Sequence, residues 1–124
     1  MNKYLIPIML ILSFSTSQAQ GPAPLALHFA SGSVSIRVED IAVLDQATTA
    51  FRTGHPVIMV ISGGADATGS AAGNLVLSQR RANVVLQELV VRGIPVDLFQ
   101  VLAKGQTEAA KEGERARRVE ITWR

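Results

Sequence analysis

The stretch Pro56-Val-Ile-Met-Val-Ile61 constrains this chain more than any other. It is continuous, apolar and rich in β-branched residues, which predicts a strand well inside a sheet and covered on at least one face. Gly63 and Gly64 are expected to stop it, and residues 62–73 are small and loop-like. A helical pattern follows from about Ala71 to Arg92, with Ser70 as its cap and Gly93 as its close. At 100° per residue Leu75, Ala82, Val85, Leu86 and Leu89 share one stripe, and Arg81 falls on its border.

The remaining segments fit around this unit. Leu25 to Ala30 alternates and predicts a short strand, Ser31-Gly-Ser33 a turn, and the alternating Val34, Ile36 and Val38 an extension or partner of that strand. Asp40 is the expected N-cap of a helix through about Arg52, with Ile41, Leu44, Thr48 and Phe51 at helical spacing and Gly54 at its end. Leu98 to Ala103 predicts a third strand, Gly105 to Gly113 a loop, and Val119 to Trp123 a last strand. The order β-α-β-α-β-loop-β predicts an α/β sandwich: two helices on one face of a small mixed sheet.

The first residues stand apart from this pattern. Lys3, the apolar run Tyr4 to Leu12, and Ser-Gln-Ala at 17–19 predict a cleaved secretory signal over 1–19. A flexible leader, 20–24, and one domain, 25–124, would remain. The apolar run gives out by Phe14, short of the roughly 20 residues a membrane span needs, and no second run follows. Gln20 rather than Cys follows the cut, so no lipid anchor is expected there. The expected fate is export, with any retention in the envelope supplied by a partner.

Composition removes several classes of function. The 124 residues contain no Cys, which excludes disulfides, thiolate metal sites and thiol nucleophiles. An apolar share of 48% with 18% charged excludes a disordered chain. A net charge of +2 gives little support to non-specific nucleic-acid binding, which needs many basic groups to neutralise phosphates. No G-x-S-x-G elbow is present, and Ser62, His28 and His55 fall in unrelated segments. The loop Gly64 to Ser70 has the glycine separation of a phosphate loop, but Ser70 stands where the lysine is needed and Asp66 would repel phosphate. Neither an enzyme nor a cofactor or metal is expected.

One pair of charges has chemistry of its own. Asp66 lies just past the central strand, and Arg81 lies fifteen residues on, about three turns into the next helix. A carboxylate accepts an ammonium, and a guanidinium grips a carboxylate through two parallel hydrogen bonds. Flanking one cleft, the two would suit a zwitterionic amino-acid head group; the competing reading is an internal ion pair or two solvated charges. Arg115, Arg117 and Arg118 precede the last strand, and alternation puts Arg117 and Arg118 on opposite faces, so at most one faces that cleft.

These residues resemble a known family. Gly63-Gly64-Ala65-Asp66, Gly69-Ser70, Asn74 and Leu77-Ser78-Gln79-Arg80-Arg81-Ala82 are similar to the G-H-T-D, G-S, N, L-S-x-x-R-A series of the OmpA-like peptidoglycan-binding domain. Gly93-Ile94-Pro95 matches its loop after the second helix, Gly105 and Glu108 its following loop, and Arg117-Arg118-Val119-Glu120-Ile121 its terminal N-R-R-V-E-I. The resemblance covers about residues 27–122. It implies a βαβαβ fold and non-covalent binding of the diaminopimelate of the peptidoglycan stem peptide. By the same resemblance, Asp66 holds the ammonium and Arg81 the carboxylate. Leu77 lines the pocket, Asn74 supports the loop, and Arg118 is the late arginine that reaches the ligand or braces the pocket. Gly64, Ala65, Gly73 and Ala116 depart from the family pattern, replacing His, Thr, an aromatic residue and Asn. The alternative function is an assembly component of an envelope-spanning secretion or conjugation apparatus with a degenerate wall-binding site.

Overall fold

The computed structural model describes residues 23–106 and 113–124. The expected signal 1–19, most of the leader, and Glu108 lie outside the described residues. Four strands form one sheet in the order β1-β4-β2-β3: β1 is Leu25–His28, β2 Met59–Ala65, β3 Phe99–Gln106 and β4 Arg118–Trp123. The helices are α1, Ile41–Gly54, and α2, Ala71–Val91. Strand β2 runs parallel to β3 and antiparallel to β4, and β1 is antiparallel to β4. The sheet is therefore mixed, as the α/β reading required.

Register explains why both helices lie on one face. Leu27 pairs with Val119, Ile61 with Ile121, and Ile61 also with Val101. Paired residues share a face, so these apolar side chains point together. Leu44 and Ala47 of α1 and Ala82, Val85 and Leu89 of α2 close over them in one buried cluster with Leu27, Phe29, Met59, Ile61, Val119 and Ile121.

The helix ends follow local chemistry. The Ser70 hydroxyl accepts from the Gly73 N–H at 3.0 Å and caps α2, while Gly93, at φ +102°, turns the chain away after its last turn. At the end of α1 it is His55, at φ 45°, that takes the left-handed position after Gly54.

Four expectations are corrected. Residues 34–37 form no strand: the chain turns at Gly32, φ +67°, and the Ser33 carbonyl is taken by a side chain of α2 instead of a sheet neighbour. Asp40 stands before α1 but does not cap it, because its carboxylate accepts from the His28 N–H at 3.0 Å and from Arg37 Nε at 3.4 Å. Strand β2 begins at Met59 rather than Pro56, and it runs through Gly63 and Gly64 to Ala65. A Cβ on Gly63 would stand 2.0 Å from the Ser78 carbonyl oxygen of α2, so the glycine continues the strand where helix and sheet meet backbone to backbone. Leu75, placed in the buried stripe by periodicity, is 48% exposed, because the stripe enters the core only from Ala82 onward.

Candidate functional site

The C-terminal end of β2, the loop that follows it, the buried side of α2 and the approach to β4 converge on Asp66. Both oxygens of its carboxylate are engaged. Oδ1 accepts from the Thr68 backbone N–H at 3.1 Å and from the Thr68 hydroxyl, and Oδ2 accepts from Arg117 Nη1 at 3.1 Å. These donors favour the charged form. The Thr68 hydroxyl bond is the chief reason the carboxyl is held below its ordinary range; burial works against it, and the Thr68 N–H and Arg117 add to it.

Arg81 is wholly buried. Its α2 neighbours Asn74 and Ser78, seven and three residues earlier, form with it a buried polar stripe that faces the end of β2. Its Nη1 donates to the Gly64 carbonyl at 3.0 Å, Nε to Ser33 at 2.9 Å and Nη2 to Ala30 at 3.2 Å. The guanidinium carbon also lies 5.3 Å from the centre of the Phe29 ring, within cation–π range. Burial lowers the Arg81 pKa; the charge of Asp66 opposes that shift and the charge of Arg117 adds to it.

Asp66 and Arg81 are thus brought to one place, but not as a mutual ion pair. Gly64, two residues before Asp66 on β2, links them, since its carbonyl receives Arg81. Asn74 is buried, its Oδ1 lies 3.9 Å from where a Cβ on Gly69 would be, and its Nδ2 has no hydrogen-bond partner among the described residues. Leu77 is half-buried, one turn before Arg81. Arg118 is elsewhere: it pairs with Glu120 at 2.6 Å, and its register partner His28 puts it on the side of β4 opposite the core residue Val119. Arg117 is the late arginine that reaches Asp66, and its Nε also donates to the Phe29 carbonyl at 3.0 Å.

Sequence reasoning did not identify Thr68 or the carbonyls of Ala30 and Ser33. Asp-x-Thr is a local signal, because Asp side chains commonly accept from the backbone two residues on. The choice of Arg117 over Arg118 was also open to inspection: once Val119 and Ile121 are core, alternation puts residue 117 on their side. Nothing local announces the carbonyls.

Two departures from the family pattern touch each other. A Cβ on Gly64 would stand 2.7 Å from the carbonyl oxygen of Ala116, which is itself buried. The approach to β4 packs against β2 where the family pattern has the larger His and Asn. Among the described residues no group of three His, Asp or Glu could hold a metal ion, and no helix is long and apolar enough to cross a membrane.

Comparison with known proteins gives a consistent result. Residues 28–121 match the model of the OmpA family. Outer membrane protein A of Yersinia pseudotuberculosis is 36% identical over 80 residues, 63% of this chain and 23% of that protein, so the chain spans about a quarter of this curated relative. The cell wall anchor of the T6SS from Pseudomonas aeruginosa has a TM-score of 0.62 at 30% identity, covering 77% of this chain and 73% of that one. The peptidoglycan-associated lipoprotein of Burkholderia pseudomallei has the same fold, with a TM-score of 0.71 at 22% identity over 80% of this chain and 89% of its own. So does the C-terminal domain of Helicobacter pylori MotB, with a TM-score of 0.68 at 20% identity over 84% and 85%.

Proposed function

The chain belongs to the OmpA family, and from that premise we propose that it is a non-catalytic domain that binds peptidoglycan non-covalently in the bacterial envelope, through the diaminopimelate of the stem peptide. One observation carries the reading: an ionised carboxylate, Asp66, is held in place by Thr68 beside two guanidinium groups at the end of β2. The free end of diaminopimelate is a zwitterion. Asp66 Oδ2 accepts from Arg117 Nη1 and keeps a lone pair for an ammonium. Arg81 supplies the partner for the carboxylate. The Nδ2 of Asn74, which has no partner among the described residues, is a further donor, and Leu77 gives an apolar wall to the ligand's methylene chain. Export by a signal cut before Gln20 would deliver the domain to the periplasm. One solved relative is named for its association with peptidoglycan and another as a cell wall anchor.

The test is cosedimentation with purified sacculi. The wild type should pellet, while Asp66→Asn and Arg81→Lys, which keep size and polarity, should stay in the supernatant.

A second reading has its own observation. Every charge at the site is already met inside the protein, Arg81 by three carbonyls and Asp66 by Arg117. That suits an assembly component of a secretion or conjugation apparatus whose wall-binding site has become structural. A wild type that ignores sacculi but is recovered in a stable complex with envelope proteins would select it.

A further inference from the structure

Two edges of a guanidinium can take a carboxylate in two parallel bonds, one formed by Nε and Nη2 and the other by Nη1 and Nη2. In Arg81 the Nε/Nη2 edge is filled by two carbonyl oxygens of one turn, Ser33 on Nε at 2.9 Å and Ala30 on Nη2 at 3.2 Å. The turn is closed on itself by the Ser33 N–H donating to the Ala30 carbonyl at 3.0 Å, with Gly32 at φ +67°. Two oxygens three residues apart thus stand where the two oxygens of a carboxylate would.

We infer that the Ala30–Ser33 turn is a self-occluding strap: it occupies the Nε/Nη2 edge of Arg81 and must lift before a ligand carboxylate can bind at that edge. This rests on the peptidoglycan reading and adds a control step to the same site. The residues flanking the strap differ in how they are held. Phe29 is buried, receives Arg117 Nε on its carbonyl at 3.0 Å, and donates its N–H to the Arg117 carbonyl at 2.8 Å, so the N-terminal end is a fixed hinge. Ser31 and Gly32 are exposed, and a Cβ on Gly32 would meet nothing within 4 Å among the described residues. The tip can move without disturbing the core. A closed strap lowers apparent affinity in proportion to the fraction of molecules in which it is open.

Gly32→Val tests this. A β-branched residue is strained at positive φ, so the closed turn is penalised, while the added Cβ meets no atom of the described residues. Binding is measured by calorimetry with a disaccharide–peptide carrying diaminopimelate, and with the analogue carrying lysine, which lacks the second carboxylate. The strap predicts that Gly32→Val binds the diaminopimelate probe about five- to tenfold more tightly than wild type. It predicts no gain for the lysine probe, and loss of the gain when Arg81→Lys is added. Equal affinity of Gly32→Val and wild type for the diaminopimelate probe overturns the strap and leaves the peptidoglycan reading standing. No binding by either protein to either probe overturns both. A second measurement needs no variant: in the wild type, the amide resonances of Gly32 and Ser33 should shift as the diaminopimelate probe binds, and binding that leaves them unmoved overturns the strap.

Discussion

Arg117 Nη1 lies 3.1 Å from Asp66 Oδ2, an ion pair that joins the approach to β4 to the end of β2 across 51 residues of sequence. It is a mostly buried pair, with 21% of the Arg117 side chain and 10% of the Asp66 side chain exposed. Breaking such a pair from one side leaves the other charge without its partner. Arg117→Ala is expected to cost about 1–3 kcal/mol by chemical denaturation and to weaken wall binding. Arg118→Ala removes only the more exposed contact with Glu120; it should cost less than about 1 kcal/mol and leave binding intact.

The same carboxylate makes stability depend on acid. Its pKa in the folded protein lies below the ordinary value, chiefly through Thr68. A depressed carboxyl contributes stability that is present above its unfolded pKa and is lost as pH falls through the folded one. Wild-type Tm should therefore fall steeply below a pH of about 4, where carboxyls in the unfolded chain begin to take up protons. Asp66→Asn should show a shallower acid limb over the same range, read by thermal melts between neutral and acid pH.

Arg81 should behave as a structural residue as well as a site residue. Arg81→Ala removes the side-chain donor from the carbonyls of Ser33 and Gly64 and one of the two donors from that of Ala30, and empties a volume under Phe29. A loss of about 3–5 kcal/mol is expected. Arg81→Lys keeps the charge and at least one bond and should lose less. Denaturant melts of the two variants check the order.

The two glycines of β2 predict unequal costs. On Gly63 a methyl group would collide with the Ser78 backbone of α2, which can retreat only by separating helix from sheet; Gly63→Ala should cost about 3 kcal/mol or more. On Gly64 it would press the Ala116 carbonyl at 2.7 Å, in the segment that enters β4; Gly64→Ala should cost about 1–3 kcal/mol. The measurement is the denaturation midpoint of each variant.

Much of the fold was legible because its signals are periodic. The stripe Ala82, Val85 and Leu89 is core, Ser70 caps α2, and the element order is as the pattern predicts. Local rules failed where a distant partner decides. Gly63 and Gly64 look like a strand terminator until α2 and Ala116 are seen against them. Val34 and Ile36 alternate like a strand, but the backbone before them is committed to Arg81. At the site, residue types and spacing leave a shared cleft of Asp66 and Arg81 as one reading beside an internal ion pair or two solvated charges, and the family resemblance is what favours the cleft. What spacing does not carry is the inward saturation of Arg81. Backbone carbonyls have no letter in a sequence, and the turn that offers them lies 48 residues away.

Asp66 is the residue proposed to anchor the domain to the wall. The most direct measurement is cosedimentation of wild-type and Asp66→Asn protein with purified sacculi of the diaminopimelate type, alongside a thermal melt at neutral pH to verify that both are folded. The account predicts that the wild type pellets and folded Asp66→Asn remains in solution. Equal pelleting of the two folded proteins, or a wild type that never pellets, would contradict it.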